Sequence, residues 1–253
     1  MKLLLEFHQL SELELLIKGD QDMKHITKCF SRLHNLRKLK IDVTCWFGVR
    51  DPSRNCPHPL NVLGRIIGAN LNLTHLELFQ DDFYPIGGNL SKIFGYVPSN
   101  SPLKLEHLGL SDTFSDAHAI ASHVRSLRSI NLCASRSLNI LTVLYVESIF
   151  PPIIETLGVD DFLINYLNHH PQIVGLSIHG FYPEVVGQTM LEIMARHSKS
   201  LMYFSTSSCF FASLHVQTEH LLRRCTKLEQ LTIWYGNGYF SQTDFDELVS
   251  RQR

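Results

Sequence analysis

A six-residue pattern recurs along this 253-residue chain: apolar, two of any kind, apolar, one of any kind, apolar. Five copies carry Leu in the first two slots: Leu10/Leu13/Leu15, Leu36/Leu39/Ile41, Leu73/Leu76/Leu78, Leu105/Leu108/Leu110 and Leu228/Leu231/Ile233. With Leu at roughly one residue in seven, chance supplies only about one or two such copies. Looser copies fill the second half: Leu127/Ile130/Leu132, Ile154/Leu157/Val159, Ile173/Leu176/Ile178 and Leu201/Phe204/Thr206. Leu141/Leu144/Val146 also fits the loose pattern but lies out of step. The first slots fall at 10, 36, 73, 105, 127, 154, 173, 201 and 228, in steps of 26, 37, 32, 22, 27, 19, 28 and 27 residues.

The spacing of the last two slots points both side chains to one face of a strand. Between copies, apolar residues return at helical spacing. They are Met23, Ile26, Phe30 and Leu33 within 20–33; Ala119, Ile120 and Val124 within 115–127; Val186, Met190, Ile193 and Met194 within 184–198; and Leu214, Leu221, Leu222 and Cys225 within 213–227. Strand alternating with helix at this period predicts a parallel sheet with right-handed crossovers. One such unit is too short to bury its own core, so stability must come from stacked neighbours.

Periods of about 20–29 residues with this pattern belong to leucine-rich repeats. The expected fold is therefore α/β: a leucine-rich-repeat solenoid of about nine irregular repeats, strands inside and helices outside. A small or polar residue precedes several strands by three positions: Asn70, His170, Ser198 and Cys225. The run Cys225-Thr226-Lys227-Leu228-Glu229-Gln230-Leu231-Thr232-Ile233 resembles the cysteine-containing class of these repeats, common in F-box proteins. Over about residues 7–250 the irregular spacing is similar to fungal F-box/leucine-rich-repeat proteins. That resemblance implies a substrate-recognition region of a ubiquitin-ligase receptor, joined to the ligase adaptor through an F-box upstream. No segment present resembles the F-box itself. A free-standing repeat scaffold or inhibitor is the alternative.

No linker rich in Pro, Gly or Ser divides the chain, so residues 1–253 read as one domain, incomplete at both ends. Two inserts are expected, near 44–59 and 81–102. Net charge is −1, with basic residues scattered in twos and threes. That argues against a nucleic-acid surface, which concentrates Lys and Arg on one face. No apolar run reaches the roughly 18 residues of a membrane span, and Met1–Glu6 is too short for a secretory signal. A cytoplasmic or nuclear monomer that binds a protein partner is expected, with no membrane partner. The six cysteines form no C-x-x-C pair, and free, mostly buried thiols are expected.

The spacing of Cys45, Cys56 and His58 fits no common zinc pattern, and His169-His170 reads as a helix end. No nucleophile elbow or phosphate loop occurs, and Gly87-Gly88 reads as a turn. The expectation is a non-enzyme without cofactor or metal. Partner contact is expected instead from residues flanking the slots on the concave strands. These are Lys38 and Lys40; His75, Glu77 and Phe79; His107; Tyr203; and Trp234. Gly109 and Ser111 share this outward phase. Trp46 and Phe47 on the first insert are further candidates, since loop aromatics often mark binding surfaces; the alternative is that they tuck under the loop and cover the core edge. Acidic residues after the strands, Asp81, Asp82, Asp160 and Asp161, are candidates for a rim that attracts a basic segment; the alternative is a solvated rim in which Asp caps the following helix.

Overall fold

The computed structural model describes residues 9–18, 32–44, 59–80, 88–111, 114–132, 138–156, 161–178, 184–207 and 215–234. The chain forms two compact units, Met1–Ile149 and Phe150–Arg253.

In the first unit the strands are β1 (Glu12–Lys18), β2 (Lys38–Thr44), β3 (His75–Gln80), the two-residue β4 (Gly88–Asn89), β5 (His107–Leu110), the two-residue β6 (Phe114–Ser115) and β7 (Ser129–Leu132). β1, β2, β3, β5 and β7 lie side by side, all parallel. The register follows the slots. Leu13 pairs with Leu39, Leu39 with Leu76, Leu76 with Leu108 and Leu108 with Ile130. Leu15, Ile41, Leu78, Leu110 and Leu132 form the next row. A slip of one residue would turn every leucine to the other face, so the buried rows hold the register. Leu36, Leu73 and Leu105, in the first slot, are completely buried. Burial of each such side chain contributes about 1.5–3 kcal/mol.

Helices α1 (Pro59–Ala69), α2 (Leu90–Phe94) and α3 (Leu138–Val146), with the 3₁₀ helix η1 (Ala117–His123), supply the covering layer. α1 buries Leu60, Val62, Leu63, Ile66 and Ile67. Two of its glycines face the next connection: a Cβ on Gly68 would stand 2.5 Å from the Tyr96 carbonyl oxygen, and one on Gly64 would strike the Tyr96 ring. The helix expected over 115–127 is instead a 3₁₀ helix. Ala117, Ile120 and His123 recur every third residue and are buried, which is the 3₁₀ period. Its larger rise spans the coil in fewer residues, in keeping with the 22-residue step from Leu105 to Leu127. The segment expected as an insert near 81–102 contains β4 and α2, whose Leu90, Ile93 and Phe94 are buried. It therefore contributes to the core. Gly88, read as part of a turn, pairs with Phe114 in a strand. The out-of-step Leu141/Leu144/Val146 lies in α3. The helix expected within 20–33, except its end at 32–33, and the insert near 44–59 lie outside the described residues but for their bounding positions.

In the second unit β8 (Ile153–Thr156), β9 (Gly175–Ile178), β10 (Tyr203–Ser207) and β11 (Gln230–Trp234) are again parallel neighbours. α4 (Asp161–His169), α5 (Glu184–His197) and α6 (His215–Arg224) alternate with them. The last two match the helices expected over 184–198 and 213–227.

One copy of the pattern is out of register with the expectation. Ile154 pairs with Leu176 and Thr156 with Ile178, so the slots are Pro151/Ile154/Thr156 and not Ile154/Leu157/Val159. All three side chains are buried. The pattern is hidden because Pro and Thr occupy slots that elsewhere hold Leu or Ile. With this correction the adjoining steps become 24 and 22 residues, in place of 27 and 19.

The polar residues three positions before the strands are buried as well: Asn70, His170, Ser198 and Cys225. Asn70 shows what the position does. Its amide donates to Leu33 O at 2.9 Å and to Ile66 O at 2.7 Å, and its Oδ1 accepts from Leu36 N at 2.8 Å. One side chain thus closes α1 and ties the turn of the preceding coil, leaving its buried polar atoms satisfied.

Candidate functional site

Positions between the slots leave the core and form rows across neighbouring strands. In the first unit one row reads Glu12, Lys38, His75, His107, Ser129, and the next reads Glu14, Lys40, Glu77, Gly109, Asn131. The parallel register sets these side chains opposite one another, where opposite charges attract.

The contacts run from strand to strand. Lys38 Nζ lies 2.9 Å from Glu12 and Lys40 Nζ 2.9 Å from Glu14. Lys40 also lies 3.8 Å from Glu77, whose Oε1 is 2.9 Å from His107 Nε2. His107 Nδ1 lies 2.6 Å from Ser129 Oγ. The His75 and His107 rings stack with centroids 5.8 Å apart, and His75 Nδ1 lies 2.9 Å from Thr74 Oγ1. Gly109 gives this lattice its room: a Cβ there would stand 2.8 Å from Glu77 Cγ and 3.0 Å from Phe79 Cζ. Phe79 leans over that glycine.

Charge follows geometry. The hydrogen bond to His107 is the largest influence on Glu77 and holds its carboxyl below the usual range, against a smaller upward push from burial. Glu14, bonded to Lys40, raises the Lys40 ammonium. Burial, and then the neighbouring His107, lower His75. The solvent-exposed pairs Lys38–Glu12 and Lys40–Glu14 contribute about 0–1 kcal/mol each. Their main effect is to fix the side chains in place.

Glu77, His107 and Ser129 form a carboxylate–imidazole–hydroxyl line, the order used to activate a nucleophile. Acyl transfer also needs N–H donors for an oxyanion. The Ser129 N–H is already donated to Glu106 O at 3.0 Å. The three groups form one ordered polar line on the strand face.

Lys38, Lys40, His75, Glu77, Phe79 and His107 therefore come together on β2, β3 and β5. Ser111, expected to face outward, is buried, and its N–H donates to Leu78 O. Gly109 is covered by Glu77 and Phe79. In the second unit Tyr203 is exposed in a row with Ile153, Gly175 and Gln230. The backbone of Trp234 pairs with Ser207. Asp161 is exposed at the start of α4. Trp46, Phe47, Asp81, Asp82 and Asp160 lie outside the described residues, as do Cys45, Cys56 and His58. Glu12, Glu14 and Ser129 were missed as site residues, although the slot phase that selected Lys38 and His107 selects them too.

Among the described residues no group of three His, Cys, Asp or Glu could hold a metal ion, and no helix is long and apolar enough to cross a membrane. Cys225 is a free, buried thiol, raised above its ordinary pKa by burial. Comparison of the chain with known protein families and with curated proteins returned no match.

Proposed function

We propose that the chain is a leucine-rich-repeat interaction module whose exposed strand face in the first unit receives a protein partner, without catalysis, cofactor or metal. The observation that carries this reading is the lattice from Glu14 through Lys40, Glu77 and His107 to Ser129, in which five strands each present one side chain. Polar groups held in place before binding lose little freedom on contact. Charges paired within the surface reward a partner that matches them and penalise one that does not.

We infer from the resemblance to fungal F-box/leucine-rich-repeat proteins that this partner is a substrate of a ubiquitin ligase. The setting is a cytoplasmic or nuclear monomer. Support comes from the strand–helix alternation and from buried polar residues before the strands, Cys225 among them. The test is to purify the tagged gene product from its own cells. Recovery of the ligase adaptor is expected. Companions that vanish with Glu77→Arg, yet persist when Arg65 on the exposed side of α1 becomes Glu, would be partners of the strand face. Absence of the adaptor favours a scaffold or inhibitor outside any ligase. Companions indifferent to Glu77→Arg contradict the proposed surface.

A further inference from the structure

Three buried histidines outside the lattice share one arrangement. His123, His170 and His197 all lie in or next to the turn that precedes a strand, where Asn70 stands in its own coil. Each ring accepts a backbone N–H on Nδ1. Leu103 N donates to His123 at 3.1 Å, Gln172 N to His170 at 3.1 Å, and Ile173 N to His197 at 3.4 Å. Two rings also reach a carbonyl from the opposite nitrogen: His170 Nε2 to Pro151 O at 2.9 Å, and His197 Nε2 to Leu167 O at 3.3 Å. These partners require the neutral tautomer with its proton on Nε2.

Leu103 and Ile173 belong to the coil before the histidine that receives them, and Pro151 to the coil before His170. The rings thus do with imidazole what Asn70 does with an amide. An amide keeps its acceptor at every pH, whereas an imidazole loses its acceptor on gaining a proton. We propose that His123, His170 and His197 are acid-released ties, whose protonation on Nδ1 sets two N–H groups against each other: at His123 and His197 this frees the preceding coil, and at His170 it opens the histidine's own turn at Gln172.

The surroundings favour the neutral form. His170 faces the Tyr166 and Phe150 rings and His197. His197 faces His170 and is near the Arg196 guanidinium. His123 stacks on Phe94, with centroids 5.1 Å apart. Burial is the largest influence on each ring and lowers its pKa. In His170 and His197 the carbonyl partners oppose this, while the neighbouring positive groups add to it. A histidine lowered on folding contributes stability that is complete above its unfolded value of about 6.5 and is lost as pH falls from there towards the folded value. Each such ring raises the unfolding constant by up to about tenfold per pH unit across that window.

The experiment is urea unfolding of the full chain between pH 7.5 and 5, for the parent and for His123→Asn, His170→Asn and His197→Asn. His118→Asn and His220→Asn, at exposed positions, serve as controls. The parent should weaken steeply below about pH 6.5, and each tie variant should flatten that slope by up to about tenfold per pH unit. The controls should leave it unchanged. A second readout holds even if a variant fails to fold. In the parent, amide exchange at Leu103, Gln172 and Ile173, corrected for intrinsic rate, should accelerate in acid more than at Leu36, whose acceptor is Asn70. Equal acceleration at all four amides, or ring pKa values at or above about 6.5 by NMR, would overturn the proposal.

Discussion

The exposed strand faces of the two units differ although their backbones follow the same plan. In the first unit the outward rows carry Glu12, Lys38, His75 and His107 beside Glu14, Lys40 and Glu77, bonded across strands. In the second they carry Ile153, Gly175 and Tyr203 beside Glu155, Ser177 and Ser205. Ile153 lies within 3.2 Å of where a Gly175 Cβ would stand. The buried slots constrain the fold and the outward positions do not, so the first unit carries a mostly charged face and the second a face of Ile153, Tyr203, Glu155 and small residues. The pre-strand turns differ too. The described coils of the first unit use both Asn70 and a histidine, whereas the second uses His170 and His197.

The largest effect that would sharpen this comparison is expected at Asn70. Asn70→Ala strands three buried backbone groups, so urea denaturation should show a loss of about 4 kcal/mol. A loss below about 1 kcal/mol would mean the first unit does not depend on the tie. Next comes Gly68→Ala, which sets a Cβ against the rigid Tyr96 carbonyl. It should cost about 2 kcal/mol, with a lowered Tm. The second unit offers the opposite sign. Thr206 fills a slot that is Leu or Ile in most coils, and its Oγ1 is the one buried side-chain polar atom without a hydrogen-bond partner among the described residues. Thr206→Val should therefore stabilise by about 1 kcal/mol in the same assay. A loss would show that the hydroxyl has a partner.

The smallest effect concerns the lattice. The Glu77 carboxyl is lowered on folding. Its contribution is complete above the ordinary carboxylate value and is lost as pH falls through the lower folded value. Glu77→Gln should remove at most about 1 kcal/mol near neutral pH. It should also flatten the acid limb of the stability curve. An unchanged acid limb would show that the His107 bond does not form in solution.

Much of the fold was legible because Leu, Ile and Val at fixed spacing satisfy the strand period and the burial rule together. Eight of the nine copies lie in register with the observed strands. The exception, Pro151/Ile154/Thr156, fails in the pattern because its buried slots are not all aliphatic. α1 escaped notice, although Leu60, Leu63, Ile66 and Ile67 keep a helical stripe, because the inserted segment before it disguises the period. The candidate surface was half legible. Phase alone selected Lys38, Lys40, Glu77 and His107. The role of Gly109 depends on Glu77 and Phe79 lying above it, and the burial of Ser111 depends on how its strand ends. The role of the pre-strand histidines was hidden because most of their partners are backbone atoms of other coils, up to 30 residues away, Gln172 N beside His170 being the exception.

A strand phase common to all coils is tested most directly where pattern and structure disagree. Glu155→Cys and Thr156→Cys should be compared for thiol labelling under native conditions, with the modified site read by mass spectrometry. Rapid modification at 155 and protection at 156 are expected, with protection at 156 lost in urea. Rapid labelling at 156 with protection at 155 would place the other face of β8 in the core and contradict the stacked arrangement.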